Sequence, residues 1–156
     1  TRRLSIMATL KTNTLTGTTT AGSIAVTGEG NSTQTNLQQG LLKCWCSLNG
    51  TGTIAMHDSF NSSTNTDHGT GAYTINITND MASANGKTPL LSIHNASDTS
   101  GTGVIDSTRG IDIYMNNAAP SASTLRVQCA FGSNGSANGA DSDSAGVHIG
   151  IAGDLA

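Results

Sequence analysis

GLLKCWCSLNGTGTIAMHDSFNSSTNTDHGTGAYTINITNDM, residues 40–81, is the stretch that settles the fold class. Leu42, Cys44, Cys46 and Leu48 alternate with Leu41, Lys43, Trp45 and Ser47. Successive side chains of a strand point to opposite faces, so this period of two predicts a half-buried strand. Asn49-Gly50 follows as a turn, since Gly tolerates positive φ without penalty and Asn does so better than most residues. Thr53 to Met56 begins the next strand. A polar, turn-rich connection comes next, SFNSSTNTDHGTG, with Phe60 as its one aromatic anchor. Tyr73, Ile75 and Ile77 then line one face of a further strand. Strands this short, joined by such turns, predict an antiparallel meander.

The pattern continues toward the C-terminus. Pro89 opens LLSIHN, a position where a strand tolerates proline. Gly103 to Ile105 reads as a short strand, and Ile111, Ile113 and Met115 alternate with Asp112 and Tyr114. In TLRVQCAF, Leu125, Val127 and Cys129 face one way. GSNGSANGADSDSAG, residues 132–146, reads as a long polar loop, and Val147, Ile149 and Ile151 share a face of the last strand. Seven or eight strands spaced in this way predict an all-β fold, an antiparallel β-sandwich or jelly-roll-like domain over residues 41–156.

Toward the N-terminus the character changes. Residues 7–40 contain no aromatic residue and are crowded with Thr, Gly and Ser. Their main large apolar residues are Leu10, Leu15, Ile24 and Val26, too few to close a core. Residues 1–40 are therefore expected to form an extended N-terminal arm for attachment or oligomerisation. Ser23 to Thr27 is its best local strand, and Thr35 to Gln39 reads as one helical turn. Met7 is a plausible initiator, which would make residues 1–6 an upstream extension.

Composition points the same way. Gly, Ser, Thr and Asn make up roughly half of the 156 residues, against far lower average usage. There is one Glu and there are three Lys, whereas helices lean on Ala, Leu, Glu, Lys and Gln. Apolar residues are 35% and aromatics 3% of the chain, thin for a self-sufficient core of this size. Part of the stability is therefore expected from neighbouring copies. The net charge of −3 provides no basic field for nucleic acid. No apolar run approaches the ~20 residues of a membrane helix, and the opening TRRLSIMATL lacks a signal peptide's longer apolar region.

No catalytic motif is visible. The three cysteines, Cys44, Cys46 and Cys129, do not form a disulfide framework and read as small buried thiols. His57, His68, His94 and His148 lack zinc-ligand spacing and read as solvated or hydrogen-bonded. Asp141-Ser142-Asp143, with Asp154 nearby, offers the oxygen ligands that Ca²⁺ prefers but not the EF-hand pattern, and reads as a solvated loop. No pair among the single Glu and the dispersed Asp residues stands out as a glycosidase pair. GTGTI and GTGAY each lead into a strand, so they make hairpins and offer no helix N-terminus to a phosphate. Six Asn-x-Ser/Thr sequons, at Asn31, Asn49, Asn61, Asn76, Asn95 and Asn134, would carry glycans only in a glycosylating host. Trp45, mid-strand, reads as core or subunit interface, and Tyr114 as the better exposed aromatic.

Several segments resemble one family of structural proteins of marine tailed bacteriophages. They are MATLKTNTLTGTTTAGSIAVTGEGNSTQTNLQQGLLKCW, NGTGTIAMHDSFNSSTNTDHGTGAYTINITNDM and the Asn/Asp-rich C-terminal region. The resemblance spans most of residues 7–156 and is strongest over 31–81. Where the family's strand reads K-A-W-V-N-F, this chain has Lys43-Cys44-Trp45-Cys46-Ser47-Leu48, which keeps small or apolar residues at alternate positions. Members are described as tail-fibre or virion structural proteins, without catalytic residues or cofactors. The resemblance implies a non-enzymatic virion protein, displayed as a tail fibre, spike or surface appendage in host attachment. It further implies a homo-oligomer, with a trimer favoured, joined to other virion proteins through the arm. Capsid decoration and a carbohydrate-binding module for a host surface glycan are the alternatives, and a depolymerase is the third reading. Expected receptor or partner contacts are Asn65, Asp67, His68, Tyr114, Asn134, Asp141 and Asp143. No nucleic acid, membrane insertion, metal or cofactor is expected.

Overall fold

The computed structural model describes residues 10–18, 24–27, 33–38, 40–94, 107–113, 119–133 and 140–156. The chain divides into two compact units, Thr1–Gln38 and Gln39–Ala156. Among the described residues all regular structure is β.

In the first unit, β1 (Ala25–Thr27) pairs antiparallel with β2 (Gln34–Asn36). The helical turn expected over Thr35 to Gln39 is therefore not formed at Thr35 and Asn36, and Gln39 lies outside the described residues. Thr35 and Asn36 are strand residues, and Leu37 N–H donates to the Ile24 carbonyl at 2.8 Å. A partner strand within reach supplies ladder hydrogen bonds, and that outweighs a weak local preference for a single helical turn.

Among its described residues the second unit carries nine strands. They are β3 (Cys44–Asn49), β4 (Ala55–Phe60), β5 (Thr66–Asp67), β6 (Ala72–Asn76), β7 (Thr88–His94), β8 (Ser107–Ile113), β9 (Thr124–Ser133), β10 (Ala140–Asp141) and β11 (Gly146–Ala152). One sheet has the order β4-β3-β11-β7, every pair antiparallel. In the other, β6 pairs with both β5 and β9, while β8 and β10 pair with β9. Val127 and Gln128 of β9 have partners in both β6 and β8, so these two strands flank β9 on opposite edges.

The inner faces of the two sheets form one core. Cys44, Cys46 and Leu48 of β3 join Val147, Ile149 and Ile151 of β11 from the first sheet. Tyr73 and Ile75 of β6 join Leu125, Val127 and Cys129 of β9 from the second. Ile77 and Met81 complete the cluster, and Ile54, Leu91, Ile93 and Ile111 pack around it. Each fully buried side chain of Leu or Ile size contributes about 1.5–3 kcal/mol relative to exposure. The molecule is thus an antiparallel, sandwich-like all-β domain. Its three thiols are buried and free, and burial pushes each of them up to about 11.

Two large apolar residues do not go where the local pattern sends them. Leu42 was expected in line with Cys44, but β3 begins only at Cys44, and Leu42 is 42% exposed. Phe60 does not anchor the following loop: it ends β4 and is 54% exposed. Trp45 does follow the alternation: it lies opposite Cys44 and Cys46, half-buried on the outer face of β3 and outside the core cluster, which removes the core half of its reading. A β-bulge explains part of this. Ser47 pairs with Asp58 but Leu48 pairs with Met56, so His57 is an extra residue in β4. Such an insertion bends the strand and resets which side chains face the core.

The loop after β4 is fixed by Asn61, which adopts a left-handed φ of 54°. Its Nδ2 donates to the carbonyls of Lys43 (2.9 Å) and Asn79 (3.1 Å), and its Oδ1 accepts from Asn79 N–H at 2.7 Å. The expected strand at Gly103 to Ile105 lies outside the described residues. The long polar loop of 132–146 is partly regular: β9 runs on to Ser133, β10 pairs with its end, and Ser144 is fully buried.

Candidate functional site

The two sheets present contrasting outer faces. On the first, register aligns Phe60, Trp45, Gly150 and Leu90 in one row across all four strands. Leu42 packs beside Gly150, and the row borders an open depression of about 470 Å³. The next row, Asp58, Ser47, His148 and Ser92, is polar. His94 lies diagonal to His148, with Nδ1 and Nε2 2.9 Å apart and the rings within 14° of parallel. That distance is an N–H···N hydrogen bond, with one ring donating and the other accepting.

On the second sheet the outer face is polar. Leu125, Val127 and Cys129 point inward, so Arg126 and Gln128 point outward. Beside them the hairpin from β5 to β6 curls over the sheet. His68 N–H donates to the Ala72 carbonyl and Ala72 N–H to the Gly69 carbonyl, both at 2.9 Å. Asp67 caps the turn by accepting from Gly69 N–H at 2.8 Å. Gly69 and Gly71 take φ of +113° and +70°, values that L side chains rarely adopt. This sharp turn falls within the turn-rich connection SFNSSTNTDHGTG.

The segment 141–143 is stitched to that hairpin. Gly71 N–H donates to Asp143 Oδ1 at 2.7 Å, and Ser142 N–H to the Cys129 carbonyl at 3.0 Å. Cys129 N–H in turn donates to the Gly71 carbonyl at 2.8 Å. Together the hairpin, β9 and β10 border an open cavity of about 250 Å³ lined by His68, Thr70, Arg126, Gln128 and Asp141, and also by Tyr73 and Val127.

The residues expected to contact a partner fall into distinct settings. His68 and Asp141 meet in this cavity. Asp67 and Asp143 lie beside it, but their carboxylates hold the backbone of the hairpin. Asp143, expected in a solvated loop, thus fastens that loop to the hairpin. Asn65 supports the fold: its Oδ1 accepts from Asn76 N–H and lies near Ser62 Oγ, both at 3.2 Å, and its Nδ2 approaches Cys46 Sγ at 3.9 Å. Tyr114 and Asn134 lie outside the described residues.

Arg126, Gln128 and Thr70 were not foreseen. The alternation in TLRVQCAF is enough to turn Arg126 and Gln128 away from the core. Nothing local says that the 67–71 hairpin folds over beside them. Among the described residues no three His, Cys, Asp or Glu side chains gather where a metal ion would fit. No family model, curated protein or solved structure matches this chain. The fold and the site define a sandwich-like all-β protein with one apolar outer face and one polar, cavity-bearing outer face.

Proposed function

We propose that this chain is a non-enzymatic structural module of a bacteriophage virion, displayed as a tail fibre, spike or surface appendage and acting in host attachment. It assembles as a homo-oligomer, a trimer being the favoured state. Residues 1–40 serve as the arm that joins it to other virion proteins.

The observation that carries the assembly is the row Phe60, Trp45, Gly150 and Leu90 on the outer face of the first sheet. Phe60 and Leu90 are 54% and 56% exposed, and Leu42 adds to the same surface. An apolar row that crosses a whole sheet marks an interaction surface, in contrast to scattered exposed apolar residues. The occupant proposed is a second copy of the chain. A composition with 3% aromatics places two of its five aromatic residues on this face, and large aromatics are the side chains that anchor interfaces. The virion assignment rests on the family resemblance over residues 7–156.

The test is sedimentation of the purified chain beside a Gly150→Glu variant. The nearest atoms a Cβ at Gly150 would meet belong to the Leu42 and Leu90 side chains, at 3.4 Å or more, so the variant is expected to fold while placing a charge in the row, and its circular dichroism spectrum checks that it does. The wild type is expected to sediment as an oligomer and the variant as a folded monomer. A wild type that is monomeric at high concentration removes the assembly reading. Locating the chain in the density of an intact particle, at symmetric copy number, tests the virion assignment.

A further inference from the structure

We propose that the cavity on the outer face of the second sheet binds an acidic sugar, and that Arg126 grips its carboxylate. This takes up the attachment half of the reading above and names the class of ligand. It does not require the apolar face to pair with a second copy.

Arg126 is half-buried, yet its guanidinium makes no hydrogen bond or ion pair with any described residue. A guanidinium carries five N–H donors in a fixed fork, and partial burial without partners is costly. The fork matches a carboxylate with two parallel hydrogen bonds, and the pairing is charge-assisted. The chain is sparing with cations, having seven Lys and Arg in 156 residues. Among the described residues, Arg126 is the one arginine or lysine that lines this cavity.

The surroundings suit the rest of a sugar ring. His68 Nε2 is engaged with Thr74 Oγ1 at 2.7 Å, which leaves Nδ1 to meet a ligand. Gln128 donates through Nε2 to the Thr70 carbonyl at 3.3 Å, so its Oε1 is left to accept. Asp141 adds a carboxylate on the β10 side. Sugar hydroxyls both donate and accept, and this set supplies both roles. The volume of about 250 Å³ lies under the ~300–1,000 Å³ of pockets for drug-sized ligands, which fits a single ring. A phosphate is disfavoured: its second negative charge would face Asp141 with only one cation to offset it. A carboxylated sugar brings one charge to Arg126 and neutral hydroxyls to Asp141.

The experiment is a titration of the isotopically labelled full chain with glucuronate and galacturonate, followed by amide chemical shifts. Glucose, acetate and inorganic phosphate serve as the comparison probes. Saturable shifts are expected from a uronate, centred on the amides of 68–72 and 126–128, with glucose at least tenfold weaker. Arg126→Gln is expected to weaken uronate binding at least tenfold. Arg126→Lys keeps the charge but loses the fork, and is expected to weaken it several-fold. The amide spectrum of each variant also reports its folding. Absence of saturable shifts at these amides with either uronate overturns the proposal. So does unchanged affinity in Arg126→Gln, or glucose or phosphate binding as tightly as the uronate. Those outcomes leave sedimentation unaffected, so failure of the ligand reading and failure of the assembly reading are separable.

Discussion

The phenol of Tyr73 lies 3.0 Å from Asp143 Oδ1 across a sequence separation of 70 residues, and 3.0 Å from the Gly50 carbonyl. The same carboxylate oxygen accepts Gly71 N–H. One buried side chain therefore ties β6 to the loop after β3 and to the segment before β11. Burial first, and then the Asp143 carboxylate, raise the Tyr73 phenol above its ordinary pKa. Tyr73→Phe keeps the ring and removes the tie. It is expected to lower stability by about 1–3 kcal/mol, as for a buried acceptor left unpaired. Asp143→Ala is expected to cost more, because it also frees the Gly71 N–H. Urea denaturation with unchanged m-value checks both. A Tyr73→Phe variant as stable as the wild type would show that the tie contributes nothing.

Gly71 is the point where the hairpin cannot accept a side chain. A Cβ there would stand 2.3 Å from the Cys129 carbonyl oxygen and 2.9 Å from that of Ser142, both backbone atoms. Gly71→Ala is expected to lose more than ~2 kcal/mol, combining steric overlap with left-handed strain. Gly69→Ala is the control: its φ is also positive, but nothing stands near the added Cβ. It is expected to cost only about 1 kcal/mol from backbone strain. Thermal melts of the two variants should keep that order.

Ser144 is fully buried, and its Oγ has no hydrogen-bond partner among the described residues. An unpaired buried hydroxyl has surrendered water without compensation. Ser144→Ala is therefore expected to be neutral or to stabilise by up to about 1 kcal/mol. Most buried substitutions destabilise, which makes the sign diagnostic. A measurable loss of stability on denaturation would mean that the hydroxyl is satisfied after all.

The thiols give a pH dependence of definite sign. Burial pushes Cys44, Cys46 and Cys129 up to about 11 from an ordinary value of 9.0. The folded state then keeps its protons while the unfolded chain begins to release them. Stability is unaffected by the thiols below pH 9 and falls as pH rises from there toward 11. The slope is about 1.4 kcal/mol per pH unit for each thiol. Cys129→Ala should remove its share of that slope, read from denaturation curves at pH 8, 9 and 10. Native protein at pH 8 should also react slowly with a thiol reagent, because the thiolate is the nucleophile.

The strands were legible where their inner faces alternate. Cys44/Cys46/Leu48, Tyr73/Ile75/Ile77, Leu125/Val127/Cys129 and Val147/Ile149/Ile151 could each be assigned to the core from period alone. Alternation puts Trp45 opposite Cys44 and Cys46 but does not say what covers that face, and it does not place Phe60. The β-bulge at His57 has no local signature either, yet it helps decide where β4 points. Short strand pairing likewise overrode the helical turn expected at Thr35.

By itself, then, the order of residues determined the class of backbone. Polar, turn-forming residues between period-two apolar runs leave the chain few options except short antiparallel strands, because side-chain direction is a property of the local backbone. Only the tertiary structure decided which strands became neighbours. That long-range pairing set Phe60, Trp45, Gly150 and Leu90 in one row, and brought the hairpin of His68 beside Arg126 and Gln128. Such neighbours are chosen by the pairing of the whole sheet and by shared burial, and neither is contained in any short stretch of the chain.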